Sequence, residues 1–182
     1  MKIQDLADTP NPNAKRFVLD TVVVPAFSSV HATQDTISDH ALATTLLDLA
    51  GVDEVFLQGN WVTITHSPDT SWDVLSRQIA EVLRQYQPEV GGDATTDDSK
   101  SQLPEDDPRV ALIRIVIKQD VMPYLNSHGG SLELAALEDN TLYVRYQGAC
   151  SGCPASMSGT LKGVEAMLRR EVDPELTVEA IY

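Results

Sequence analysis

Cysteine is nearly absent: the 182 residues contain two, Cys150 and Cys153. Two thiols cannot build a multi-bridge disulfide framework, and one chain cannot by itself give four thiolates to a metal centre. Aromatic residues are sparse at 5%, and Trp61 and Trp72 read as core or core-edge residues rather than a binding platform. Basic residues are in deficit. Lys and Arg number 13 against 27 Asp and Glu, a formal charge of -14, which argues against phosphate-backbone binding and removes nucleic acid from the expected partners. No run of about 18 apolar residues occurs, so neither a membrane span nor a membrane partner is expected. The opening MKIQDLADTPNPNAKRF has no basic start followed by an apolar core and no Arg/Ser-rich amphipathic pattern, which makes the cytosol the expected compartment. What remains is a globular composition, 42% hydrophobic and 22% charged.

The charge is unevenly spread. Residues 1–90 hold 5 basic against 12 acidic side chains, residues 91–107 hold one against six, and residues 108–182 hold 7 against 9. The middle stretch, GGDATTDDSKSQLPEDD, has little apolar surface to bury and reads as an acidic, flexible linker between two small domains, 1–90 and 108–182. The expected fold class is α/β in the broad sense (α+β), each domain a short β-sheet covered by helices.

In the first domain the β-branched run Phe17 to Val24, ended by Pro25, predicts a strand. Ser38 is a candidate cap for a helix carrying Leu42, Leu46 and Leu49, stopped by Gly51. Val52–Leu57 and Trp61–Thr65 read as a hairpin around Gln58-Gly59-Asn60. Ser71 starts a second helix whose Leu75, Ile79, Val82, Leu83 and Tyr86 form one apolar face. In the second domain Asp107-Pro108 marks a helix start, with Val110, Ile113, Ile117 and Val121 buried. Pro123 predicts a kink, and the helix should finish at His128-Gly129-Gly130. Strands Ser131–Leu137 and Thr141–Tyr146, a helix carrying Met157, Leu161, Val164 and Leu168, and a strand from Leu176 to Ile181 complete the order helix, strand, strand, helix, strand.

Cys150 and Cys153 stand three apart, so both sulfurs can face one ion from a single turn of backbone, half of a tetrahedral sulfur site. Pro154 suits a first helical position, and the positive end of that helix would favour thiolates. Gly148, Ala149, Ser151 and Gly152 let backbone approach a bulky inorganic core, whose sulfurs their N–H groups could then reach. In a reducing cytosol such a pair is more often a metal or redox site than a crosslink. Three readings are therefore open: an iron–sulfur site, a dithiol-disulfide oxidoreductase, and a zinc-stabilised protein-interaction module. The element order lacks the parallel strand-helix-strand units of a thioredoxin-type chain. Zinc would want two further ligands, and His31, His40, His66 and His128 lack metal-ligand spacing; the first three read as exposed or capping residues and His128 as a helix-terminus residue.

Residues 108–182, with HGGSLELAALEDNTLYVRYQGACSGCPASMSGTLKGVEAMLRREV, resemble the NifU C-terminal (Nfu) domain of iron–sulfur scaffold and carrier proteins. The resemblance is carried by Gly148-Ala149-Cys150-Ser151-Gly152-Cys153-Pro154 followed by Thr160-Leu161-Lys162 and Gly163-Val164-Glu165. Thr9-Pro10-Asn11-Pro12-Asn13-Ala14-Lys15-Arg16-Phe17 is similar to the start of the Nfu N-terminal domain, so both domains stand in the family's order. The resemblance implies a labile 4Fe-4S cluster held by Cys150 and Cys153, shared across a homodimer and passed to apo iron–sulfur proteins. An upstream assembly scaffold is a further implied partner, and no enzymatic activity is implied. Where the family usually has Asp-Gly-Gly, this chain has His128-Gly129-Gly130. That position is not a family ligand, so cluster assembly is expected to survive the exchange.

Overall fold

The computed structural model describes residues 1–25, 28–36, 38–87, 103–104, 106–150 and 154–181, with side chains described outside 154–158. The chain falls into two compact units, Met1–Thr96 and Asp97–Tyr182, each a sheet with helices, as the α+β class predicts.

The first unit is a five-stranded antiparallel sheet in the order β1-β2-β5-β4-β3. Its strands are β1 (Ile3–Asp8), β2 (Ala14–Leu19), β3 (Ser29–Thr33), β4 (Val52–Gln58) and β5 (Trp61–His66). The helices are α1 (Ala41–Leu47) and α2 (Trp72–Gln85). Phe17, Leu19, Leu57 and Ile64 of the sheet share a buried core with Leu42 and Leu46 of α1 and Leu75, Ile79 and Leu83 of α2. Ser71 caps α2 as expected, its hydroxyl accepting from the Asp73 N–H at 3.3 Å.

Three expectations need correction here. The strand predicted over 17–24 starts at Ala14 and stops at Leu19, because Asp20 turns the chain: its carboxylate accepts from the Lys2 N–H at 2.8 Å, and the N–H groups of Val23 and Val24 go to the Gly59 carbonyl instead of a ladder. Ser38 does not cap α1. It accepts from His40 N–H at 3.1 Å through its hydroxyl and from the Thr44 hydroxyl at 2.8 Å through its carbonyl, and the helix begins later, at Ala41, with no side-chain cap. Strands β1 and β3 were not expected. Both lie at sheet edges, where one flank is unpaired and polar residues are favoured over an apolar pattern.

The second unit begins with α3 (Pro108–Val116), capped by Asp107, whose carboxylate accepts from the Arg109 N–H at 2.9 Å. One π turn, Ile117–Val121, leads into α4 (Met122–Ser127), and the Met122 N–H reaches back to the Ile117 carbonyl. The π turn absorbs one extra residue, so Pro123 falls in the first turn of α4, where its missing N–H costs no helical bond. This is the physical form of the kink expected there. Strands β6 (Gly130–Glu138) and β7 (Thr141–Gly148) form an antiparallel hairpin with a bulge between Leu134 and Ala136. After α5 (Pro154–Glu171), β8 (Thr177–Ile181) pairs parallel to β7, giving the order β6-β7-β8.

Val110, Ile113, Ile117 and Val121 are buried as predicted, together with Leu142, Val144, Val164, Leu168 and Val178. Leu103, from the acidic stretch 91–107, also packs into this core. Arg109 pins three loops together, donating to Asp107, to Asn140 Oδ1 at 2.9 Å, to the Asp139 carbonyl at 2.8 Å and to Asp173 at 3.3 Å.

Candidate functional site

The site lies where the end of α4, the first residues of β6 and the end of β7 meet, ahead of α5. Helix α4 closes at His128, and the N–H groups of His128 and Gly129 return to Leu125 and Asn126 at 3.0 and 3.1 Å. Gly129 and Gly148 adopt φ of 76° and 67°, values that favour glycine. Between them Gly130 pairs with Gly148 in the β6–β7 ladder, and the Ala149 N–H donates to the Gly129 carbonyl at 3.1 Å.

Cys150 is buried, at 8% exposure, and its side chain lies over Gly130. A Cβ on Gly130 would collide with the Cys150 Sγ and stand 3.1 Å from both the Cys150 Cβ and the Gln147 carbonyl oxygen. Gly130 is therefore the floor on which the thiol rests. Pro154 is the first residue of α5, as the sequence predicts, and three residues separate it from Cys150. The second predicted ligand, Cys153, lies outside the described residues, as do Ser151 and Gly152.

Tyr146 is the feature that sequence reasoning missed. It is 5% exposed, belongs to the same buried cluster as Cys150, and its hydroxyl has no hydrogen-bond partner among the described residues. Burial, and after it the charge of Cys150, push the phenol far above its ordinary ionisation range. The alternation Leu142, Val144, Tyr146, Gly148 along β7 could have signalled an inward tyrosine just before the cysteine loop.

The histidines have ordinary neighbours. His31 Nε2 and Glu54 Oε1 are 2.7 Å apart on adjacent strands. His40 Nε2–H donates to the Val23 carbonyl at 3.2 Å and His66 Nδ1–H to that of Ser67 at 2.6 Å. His128 packs edge-on against Tyr124 with ring centroids 4.6 Å apart. Trp61 sits beside Phe56, and Trp72 beside His66. Among the described residues no three or more His, Cys, Asp or Glu side chains converge as a metal site, and no helix is long and apolar enough to cross a membrane. In α5, Glu165 accepts from the Val178 N–H at 3.0 Å and pairs with Arg169, so this residue of the recognised motif holds β8 in place.

A small α+β unit with a cysteine seated between two glycine turns, ahead of a Pro-initiated helix, defines the class of NifU-like domains, and comparison with known families agrees. The NifU-like domain model matches residues 113–179, and the model described as scaffold protein Nfu/NifU N terminal matches residues 3–89. The chain belongs to the Nfu family, with both of its domains in order. It is 30% identical over 178 residues to NifU-like protein 5, mitochondrial, of Arabidopsis thaliana, covering 94% of this chain and 65% of that protein. NifU-like protein 4, mitochondrial, of the same plant is 32% identical over 178 residues, covering 94% and 63%. The human protein named NFU1 iron-sulfur cluster scaffold homolog, mitochondrial, is 26% identical over 167 residues, covering 89% and 65%. The chain thus spans somewhat less than two thirds of the length of these relatives.

Proposed function

We propose that this chain is an iron–sulfur cluster carrier whose cargo, a labile 4Fe-4S cluster, is bound by Cys150 and Cys153. The observation that supports this most is the seat of Cys150: a thiol over a glycine floor, at the end of a strand and ahead of a Pro-initiated helix. Two thiolates per chain and four per cubane cluster make a cluster shared by two protomers the simplest arrangement, with an isologous interface placing both motifs face to face. Residues 1–90 act as the Nfu N-terminal domain, 91–107 as an acidic linker, and 108–182 as the cluster domain.

Delivery is ligand exchange without net redox change. An incoming thiolate of the recipient apo-protein forms a bond to iron, the Fe–S bond to Cys150 or Cys153 breaks, and the released carrier thiolate takes up the proton shed by the incoming thiol. No catalytic acid, base or nucleophile is required, so the protein works as a carrier and not an enzyme. Its partners are recipient apo-proteins, an upstream scaffold and a second copy of itself. The three relatives are mitochondrial by name, whereas the opening residues of this chain favour the cytosol; the chemistry needs only a compartment that keeps both thiols reduced.

Anaerobic reconstitution tests the reading. A dimer carrying about four iron atoms is expected, with the cluster passing to an apo-enzyme, and Cys150→Ser or Cys153→Ser should lose stable loading while the apo fold remains. A monomer holding a complete cluster would overturn the shared site, and full loading of either serine variant would overturn the ligand assignment. Insulin reduction by metal-free protein that takes up no iron would point to the oxidoreductase reading. Zinc in a colourless protein purified without oxygen would point to the zinc module.

A further inference from the structure

Tyr146 carries an inference that deepens the carrier reading and rests on it. Leu142, Val144, Tyr146 and Gly148 alternate into the core along β7, which makes Tyr146 the last large inward side chain before the cysteine loop. Its cross-strand neighbour is Leu132, an aliphatic residue that offers its hydroxyl nothing. A phenylalanine would fill this position equally well and would leave no buried hydroxyl unbonded, a deficit that folded proteins rarely tolerate without a use. The hydroxyl stays protonated, and charge on the Cys150 sulfur is felt at the ring, so an O–H donor lies within electrostatic reach of that sulfur. Cys150 cannot settle lower in its seat without meeting the Gly130 backbone.

We propose that Tyr146 is a positioning residue for the cargo: its hydroxyl donates to the Cys150 sulfur when that sulfur ligates metal. A hydrogen bond to a metal-bound thiolate withdraws charge from it, which raises the cluster's potential, and such outer-sphere partners are commonly worth about 10- to 100-fold in metal affinity.

The test compares the full chain with Tyr146→Phe, which keeps the ring and removes only the hydroxyl. After anaerobic reconstitution the variant is expected to have a more negative midpoint potential and to lose its cluster to a chelator about tenfold faster. Its apo melting temperature should be no lower than that of the parent, since an unbonded group has been removed. Equal potentials and release rates would overturn the proposal, as would a lower apo melting temperature with an unchanged potential, because the tyrosine would then be structural only. Cadmium titration of the apo-protein reads the thiolates without a cluster, and the variant should bind cadmium about tenfold more weakly. If the parent takes up no cluster but the cadmium difference appears, the carrier reading fails and the tyrosine's role stands. If the parent loads fully and the two proteins match in every readout, the tyrosine proposal alone fails.

Discussion

Gly130 shows how one residue's missing side chain sets the cysteine's position. A Cβ there meets the Cys150 Sγ, and the nearby Gln147 carbonyl limits the room on the other side. Gly130→Ala is therefore an overpacking change, expected to lower stability by about 1–3 kcal/mol and to displace the thiol, so that cluster loading falls as well. Gly163, on α5, has nothing within 4 Å of an added Cβ. Gly163→Ala in the same apo-protein should move stability the other way, up by about 0.5–1 kcal/mol. Urea unfolding of both variants checks the pair, and a neutral Gly130→Ala would remove the floor from the account of the site. Cys150, Pro154 and the glycine run could be read in the sequence because their chemistry is local. The meeting of Gly130 with Cys150 could not, since it depends on the β6–β7 register, and the same dependence hid Tyr146.

At the scale of elements, the capped starts were legible and the polar edges were not. Ser71 and Asp107 stand directly before apolar faces at helical spacing, so both helix starts fell where the side chains demand. Strands β1 and β3 carry Asp, Gln, Ser, His and Thr at sheet edges and gave no apolar alternation. The π turn before Pro123 was visible only as a breaker, because the sequence marks where an α-helix must yield and not how. The Asp107 cap makes a pH prediction. Arg109's side chain first, and its backbone N–H second, hold the Asp107 carboxyl below its ordinary value of 3.8. The folded chain thus binds that proton less tightly than the unfolded one. The resulting stabilisation is complete above the unfolded pKa and disappears as pH falls through the lower, folded value. Asp107→Asn preserves a capping side chain and removes the charge. Its melting temperature should lie below the parent's at pH 7, with the gap shrinking as pH drops under 3.8; a gap independent of pH would assign the effect to geometry instead.

Over the whole molecule, the uneven charge and the two cores tell a consistent story about division of labour. Of the net charge of -14, residues 1–107 carry -12, which leaves the cysteine-bearing unit close to neutral. That contrast was readable from composition, whereas the burial of Leu103 was not, because a single leucine in an acidic run gives no periodicity to follow. The cores centred on Leu42, Leu57 and Ile79 and on Ile113, Val144 and Leu168 share no residue, so the chain should not unfold as one two-state body. Ile79 is fully buried between α2 and the five-stranded sheet, and Ile79→Ala should cost the first unit about 2–5 kcal/mol. Calorimetry is expected to show one transition moving to lower temperature while the other stays. Cluster loading of the variant, measured below both transitions, should equal that of the parent, since no ligand or supporting glycine belongs to the weakened core. A single transition that carries loading down with it would mean that the two units depend on each other for folding, and the carrier function could then not be assigned to residues 108–182 alone.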